Sequence, residues 1–228
     1  MNIILDATGI YKIYKESAKS VDVLKCLDLK VTVGEIVVIM GPSGSGKTTL
    51  LHILSGLDRP NAGTLLLDGV DLFSLSDLSL SMLRNDKIGF VFQFHQLLPE
   101  FTCFENVFLP TMIGGKRSIV STQRSMELIE LVGLGGKEHR LPSQLSGGER
   151  QRVGVARALV NNPKIVFADE PSGNLDVDTS SSLHQLFLNL NNERGVTFVI
   201  ATHKESMCGI ANRVVGLKEG KCCVKNAM

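Results

Sequence analysis

The stretch Gly41-Pro42-Ser43-Gly44-Ser45-Gly46-Lys47-Thr48 constrains this chain more than any other, because it fits the phosphate-loop spacing G-x-x-x-x-G-K-[ST]. The apolar segment Ile36-Val37-Val38-Ile39-Met40 precedes it, and Thr49-Leu50-Leu51-His52-Ile53-Leu54, which reads as a helix, follows it. Strand, glycine loop and helix form the context in which this pattern binds phosphate. The glycines let successive N–H groups curl inward, and the helix presents its positive end to the same point. Lys47 adds a point charge for the β- and γ-phosphates, and Thr48 offers a hydroxyl to Mg²⁺, an ion that prefers oxygen and keeps several waters. Average residue frequencies produce such a match by chance in on the order of one per cent of chains this long. With strand and helix in place, an ordinary glycine-rich turn is the weaker reading, and the loop predicts nucleotide binding.

Composition bounds the rest. With 228 residues, 43% of them hydrophobic, the chain can fill the core of one large domain or of a domain with a sizeable subdomain. Lys and Arg number 24 against 23 Asp and Glu, a net charge of +1, so no global field favours nucleic acid and none is expected as a partner. The start, Met1-Asn2-Ile3-Ile4-Leu5-Asp6, lacks the basic and long apolar regions of a signal peptide. No stretch approaches the roughly 18 apolar residues needed to cross a bilayer, so a cytosolic chain that docks on something membrane-embedded is expected. The five cysteines, Cys26, Cys103, Cys208, Cys222 and Cys223, show no metal-ligand spacing, and their odd number argues against a disulfide framework.

Taken in order, residues 3 to 35 alternate short apolar patches with polar turns, which predicts antiparallel strands. Tyr14, in such an edge strand, is a candidate to stack on an adenine ring, although a half-buried strand aromatic explains it as well. Leu65-Leu66-Leu67-Asp68-Gly69-Val70 reads as a strand and hairpin turn. Ile88-Gly89-Phe90-Val91-Phe92 is a buried strand ending at Gln93, whose amide would lie on the ligand edge of an α/β sheet, near the metal or the attacking water. From Phe94 to about Leu159 a mostly helical insert is expected, with a helix over Ser121–Val132 stopped by Gly133. Inside it, Ser146-Gly147-Gly148-Glu149 opens another helix, either as a second anion site or as a plain cap.

Ile165-Val166-Phe167-Ala168 then closes on Asp169-Glu170. Adjacent strand residues point to opposite sides, so Asp169 is expected to face the Mg²⁺ shell and Glu170 a water in line with the γ-phosphate. Ser172-Gly173-Asn174-Leu175-Asp176 forms a loop before an amphipathic helix. Val196–Ala201 forms one more buried strand, ending at Thr202-His203, where an imidazole can donate to the γ-phosphate. His52, His95, His139 and His184 read as structural or solvated. The tail from Arg213 reads as strand, turn, strand.

The phosphate loop, Gln93, Leu145-Ser146-Gly147-Gly148-Glu149, Asp169-Glu170, Asn174-Leu175-Asp176 and His203, in that order, resemble the ATP-binding cassette (ABC) ATPase family over nearly the whole chain. The resemblance implies an α/β fold of the P-loop NTPase (RecA-like) class, with a core at about 1–93 and 160–228, an antiparallel β flap, and an α-helical subdomain at about 94–159. It also implies a nucleotide-dependent head-to-tail homodimer sandwiching two ATP molecules. Gly41, Pro42, Ser43, Gly44, Ser45, Gly46, Lys47, Thr48 and Thr49 would hold the phosphates. Thr48, Gln93 and Asp169 would serve Mg²⁺, Glu170 would be the general base, and His203 the γ-phosphate switch. Ser146, Gly147 and Gly148 would cap the nucleotide of the opposite subunit, Tyr14 would stack on adenine, and Asp176 would link the two sites across the dimer.

Gly34-Glu35, Gly56-Leu57-Asp58 and Glu170-Pro171-Ser172-Gly173-Asn174-Leu175-Asp176 resemble the branch that contains macrolide exporters, cell-division ATPases and the lipoprotein-releasing machine. Residues 93–102, Glu105-Asn106-Val107 and Ile113-Gly114-Gly115-Lys116 resemble the lipoprotein-releasing members most closely. They imply a peripheral ATPase on the cytoplasmic face of the inner membrane. It would be paired with integral permease subunits of the LolC/LolE type on separate chains and act indirectly on lipoprotein cargo. Phe94, Leu97, Leu98 and Phe101 would suit a permease helix, or equally the core of the subdomain. A macrolide-type exporter or cell-division ATPase is the nearest alternative, and a soluble ABC protein acting on ribosomes or DNA a more distant one. Two departures stand out: Ser172 where threonine is usual, and Lys204 where an acidic residue is common.

Overall fold

A computed structural model describes residues 2–16, 19–115 and 118–225. Lys116, Met1 and residues 226–228, all part of the sequence reading, lie outside it. Two sheets organise the chain. The first joins β1 (Ile3–Glu16), β2 (Lys19–Thr32), β4 (Ala62–Leu67) and β5 (Val70–Asp71) in the order β2-β1-β4-β5, antiparallel throughout. Asp68 and Gly69 turn the β4–β5 hairpin with positive φ at both positions, the conformation that Asp-Gly favours. This is the antiparallel flap.

The second sheet contains β3 (Ile36–Met40), β6 (Ile88–Val91), β7 (Ile165–Asp169), β8 (Phe198–Thr202), β9 (Arg213–Lys218) and β10 (Lys221–Lys225). Its order is β10-β9-β3-β8-β7-β6, with β10 antiparallel to β9 and the other neighbours parallel. Strands covered on both faces read as continuous apolar runs, and β3, β7 and β8 are such runs. Their alternate residues feed two cores. Val37 and Ile39 pack with Leu50, Leu51 and Ile53 of α1 (Lys47–Leu54) and with the flap. Ile36 and Val38 pack with Val153 of α5 (Gly147–Leu159) and Leu183 and Phe187 of α6 (Val177–Arg194). The helical subdomain comprises α3 (Cys103–Ile113), α4 (Ile119–Leu131) and α5, which pack on one another.

Three features differ from expectation. β1 is an inner strand, not an edge, yet its pairing with β4 stops at Tyr11, so Tyr14 stands on a stretch paired with β2 alone. Residues 93–102 are not helical. His95 and Gln96 adopt positive φ, and the buried amide of Asn106 holds the Leu98 and Phe101 carbonyls at 3.1 and 2.9 Å, folding the segment onto the start of α3. A helix, α2 (Asp77–Lys87), was not legible in the sequence. Of its apolar residues only Leu80 is buried while Leu78 and Met82 face outward, so the helical period does not show. Among the described residues no helix is long and apolar enough to cross a membrane.

Candidate functional site: a phosphate loop at the carboxyl edge of the parallel sheet

Strand order builds the site. β8 lies between β3 and β7, with Met40 beside Thr202 and Asp169 beside Ala201, so the chain leaves β3, β7 and β8 at one edge. That edge of an open parallel sheet is where ligands bind. The phosphate loop follows β3, Asp169 ends β7 with Glu170 directly after it, His203 follows β8, and Gln93 lies two residues beyond β6.

Within the loop, Gly46 takes φ 97° to turn the chain into α1, a conformation that a side chain strains. A Cβ on Gly41 would lie 2.5 Å from the Leu217 carbonyl oxygen and 2.6 Å from Ser45 Oγ, so this position has no room for one. Lys47 is only 7% exposed; its ammonium donates to the Gly41 and Pro42 carbonyls at 2.9 and 3.2 Å and stands 3.6 Å from Glu170 Oε1.

Glu170 does not continue the strand. Its φ of 44° turns the chain sharply after Asp169, so this turn, and not strand alternation, separates the two carboxylates. Three contacts from β8 and its end hold the Glu170 carboxylate. The Thr202 hydroxyl donates to Oε2 at 2.9 Å, the His203 N–H donates to Oε2 at 3.3 Å, and His203 Nδ1 lies 2.9 Å from Oε1. With Nδ1 so engaged, Nε2 of the half-exposed imidazole is the nitrogen left for a ligand. Thr202 was not singled out in the sequence; its place directly before His203 at a strand end was the available signal.

The buried side-chain atoms without a hydrogen-bond partner among the described residues are Ser45 Oγ and Asp169 Oδ1, both in this site. Orphaned buried polar atoms are rare and call for a ligand or strain to explain them. Burial raises the Asp169 carboxyl above its ordinary value and the nearby Glu170 charge adds to the rise, against the Thr48 hydroxyl, His52 and Lys47. A bound divalent cation would reverse that balance. The Thr48 hydroxyl and the Asp169 carboxylate, which lie within hydrogen-bond reach of each other, are hard oxygens of the kind that fits Mg²⁺, an ion that takes one or two protein carboxylates and fills its shell with phosphate and water.

Ser146, Gly147 and Gly148 stand elsewhere, beside the loop entering α6. A Cβ on Gly148 would meet Thr179 Cγ2 at 2.3 Å, and one on Gly147 would lie 3.7 Å from Leu175. The Ser146 hydroxyl caps α5 by accepting from the Glu149 N–H, and the Glu149 carboxylate accepts from the Ser146 N–H at 2.7 Å. The Lys137 ammonium beside Glu149 holds its carboxyl down to about 2. Asp176 likewise caps α6 through the Thr179 N–H at 2.9 Å.

Tyr14 is 40% exposed and its phenol donates to Asp58 Oδ2 at 2.7 Å. Asp58 also accepts from the buried Lys12 ammonium at 2.8 Å, and that ammonium lies 4.8 Å from the Tyr14 ring centroid. Sequence reading missed Lys12, because a lysine in an alternating strand ordinarily faces solvent. Of the four apolar residues expected near a membrane partner, Leu97 packs on the core while Phe94, Leu98 and Phe101 are exposed.

Comparison with known proteins agrees with this architecture. A family model described as ABC transporter matches residues 24–173. The chain is 51% identical over 205 residues, 90% of its length and 94% of the relative's, to a lipoprotein-releasing system ATP-binding protein LolD of Bacteroides thetaiotaomicron. It is 49% identical over 220 residues to the protein of that name in Cytophaga hutchinsonii, covering 96% and 99% of the two chains. Among solved structures it superposes with a TM-score of 0.88, at 40% identity over 96% of each chain, on the ATP-binding cassette MJ0796, a dimer in a post-hydrolysis state bound to ADP and Pi. CbiO1 of Clostridium perfringens, part of the ABC transporter complex cbiONQ, superposes with a TM-score of 0.87 at 26% identity, covering 100% of this chain and 89% of that one. On the strength of the phosphate loop, the sheet edge that gathers its partners, and these matches along most of its length, the chain belongs to the ABC transporter family as an ABC-type, ATP-binding ATPase.

Proposed function

We propose that this chain is the ATP-hydrolysing subunit of an inner-membrane ABC complex that releases lipoproteins for transport to the outer membrane. The chemistry rests on one observation: the Glu170 carboxylate is clamped by Thr202 and His203 within 3.6 Å of the Lys47 ammonium. The loop amides and Lys47 bind the β- and γ-phosphates, and Ser45 Oγ acquires the phosphate partner that it lacks within the protein. Thr48, Gln93 and Asp169 would hold Mg²⁺, which would neutralise charge on the phosphates. Glu170 accepts the proton of the water that attacks the γ-phosphorus, the bond to the β-phosphate oxygen breaks, and ADP and phosphate leave. His203 contacts the γ-phosphate through Nε2 and so distinguishes the triphosphate from the products.

In a head-to-tail homodimer, Ser146, Gly147 and Gly148 present the amino-terminal end of α5 to the nucleotide held by the partner protomer. Tyr14 stacks on adenine, fixed by Asp58 and Lys12. Tyr14→Ala is expected to weaken ATP binding by roughly threefold to tenfold while leaving tripolyphosphate binding unchanged, as titration calorimetry would read. An equal loss for both ligands would remove the stacking role.

The cargo assignment is supported by the likeness to lipoprotein-releasing system ATP-binding proteins over nearly their whole length. The chain divides into a nucleotide core at about 1–93 and 160–228 and a subdomain at about 94–159 that meets the membrane partners. A groove of about 540 Å³ between α2 and α3, lined by Leu78, Met82, Leu83 and Ile113, supports the docking of an amphipathic permease helix. The ATPase would sit peripherally on the cytoplasmic face of the inner membrane beneath LolC/LolE-like subunits. Co-purification from detergent-solubilised native membranes, read by mass spectrometry, is expected to return related membrane proteins with large periplasmic regions together with lipoproteins. Recovery of a self-pairing macrolide-type exporter or of division proteins would overturn the cargo and keep the ATPase.

A further inference from the structure

We infer that Lys204 is a positioning residue that ties the loop Ser172–Asp176 to the frame that orients Glu170. The inference rests on the proposed role of Glu170 as base. The Lys204 ammonium donates to the Ser172 carbonyl in a short bond and to the Leu175 carbonyl at 3.5 Å. Its backbone N–H donates to the Thr202 hydroxyl at 3.1 Å, and that hydroxyl donates in turn to Glu170 Oε2 at 2.9 Å. One residue at the end of β8 is therefore bonded through its backbone to the group that holds the base, and through its side chain to the loop that carries Asp176.

The loop has other fixings too: the Ser180 hydroxyl donates to the Leu175 carbonyl at 3.3 Å, and Asp176 accepts from the Thr179 N–H at 2.9 Å. The Gly173 N–H reaches the Glu170 carbonyl at 2.9 Å and the Leu175 N–H reaches the Ser172 carbonyl at 3.3 Å. Below it, the Ser172 hydroxyl meets His184 Nε2 at 3.2 Å. Burial and then the Lys204 charge lower the His184 pKa, which favours the neutral ring next to the ammonium. The acceptors facing Lys204 are both backbone carbonyls, so a cationic donor satisfies them and a carboxylate would be repelled. Arginine retains the donors, and methionine keeps the stem without them.

The side chain and N–H of Lys204 bond to Ser172, Leu175 and Thr202, all outside the phosphate loop, so its loss is expected in turnover and not in nucleotide affinity. The test measures ATP hydrolysis against ATP concentration for the full chain and for K204M, K204D and K204R, with a thermal unfolding midpoint for each. The expected result is a kcat about tenfold lower in K204M and lower again in K204D, KM within about twofold of the parent, and most of kcat restored in K204R. Parental kcat in K204D would overturn the inference. So would a loss that K204R fails to restore, or one that follows a falling midpoint in all three variants. E170Q in the same assay separates the two assignments. Normal hydrolysis by E170Q removes the base, whereas an inactive E170Q beside a fully active K204D removes only the role of Lys204.

Discussion

Glu170→Gln is expected to lower ATP turnover by roughly two to four orders of magnitude while leaving ATP binding intact, the range that a positioned general base contributes. The amide is nearly isosteric and keeps an acceptor for the Thr202 hydroxyl and the His203 N–H, so the local fold survives. It cannot accept a proton from water at neutral pH. Because ATP then stays uncleaved, the variant should accumulate as a closed, ATP-bound dimer, visible as a shift in size-exclusion elution on adding ATP and Mg²⁺. Unimpaired hydrolysis would sink the assignment. Binding lost together with turnover would instead mark Glu170 as part of the nucleotide pocket, through its 3.6 Å approach to Lys47.

Lys47→Ala should act on the other side of that division. Nucleotide affinity is expected to fall by roughly tenfold to a hundredfold, the equivalent of about 1.5–3 kcal/mol for lost hydrogen bonds to a charged group. The ammonium now rests on the Gly41 and Pro42 carbonyls inside its own loop, so phosphates compete for a donor that is already ordered and in place. Equilibrium binding of a fluorescent ATP analogue, with and without competing ATP, measures the effect. Near-parental affinity would count against the phosphate-loop assignment. The two variants diagnose different faults, turnover without binding loss for one and binding loss for the other.

Much of the architecture was legible because it is encoded locally. The continuous apolar runs of β3, β7 and β8 announce strands buried on both faces, and the polar residues that end them mark the ligand edge. The helix cap that Ser146 offered in the sequence is one that the structure forms, with Glu149 completing it as a capping box. The helix α2 was not legible, since its apolar residues Leu78 and Met82 point away from the core. The left-handed turn at Glu170 was missed as well, because no residue type demands it there. Of Phe94, Leu97, Leu98 and Phe101, only packing decides that Leu97 belongs to the core and the others to the surface.

By itself, the sequence determined that the chain carries a phosphate loop and, with it, nucleotide binding. A phosphate loop is a short-range device, made by neighbouring amides, one lysine and the start of one helix. Tertiary structure alone decided that Glu170 faces Lys47 and is held by Thr202 and His203, and that Lys204 reaches the Ser172 carbonyl. Those contacts join residues far apart in the chain, and they exist only because β8 is inserted between β3 and β7. Strand order follows from burying the two faces of the sheet under α1 and the flap on one side and α5 and α6 on the other, a global condition that no local stretch of sequence records.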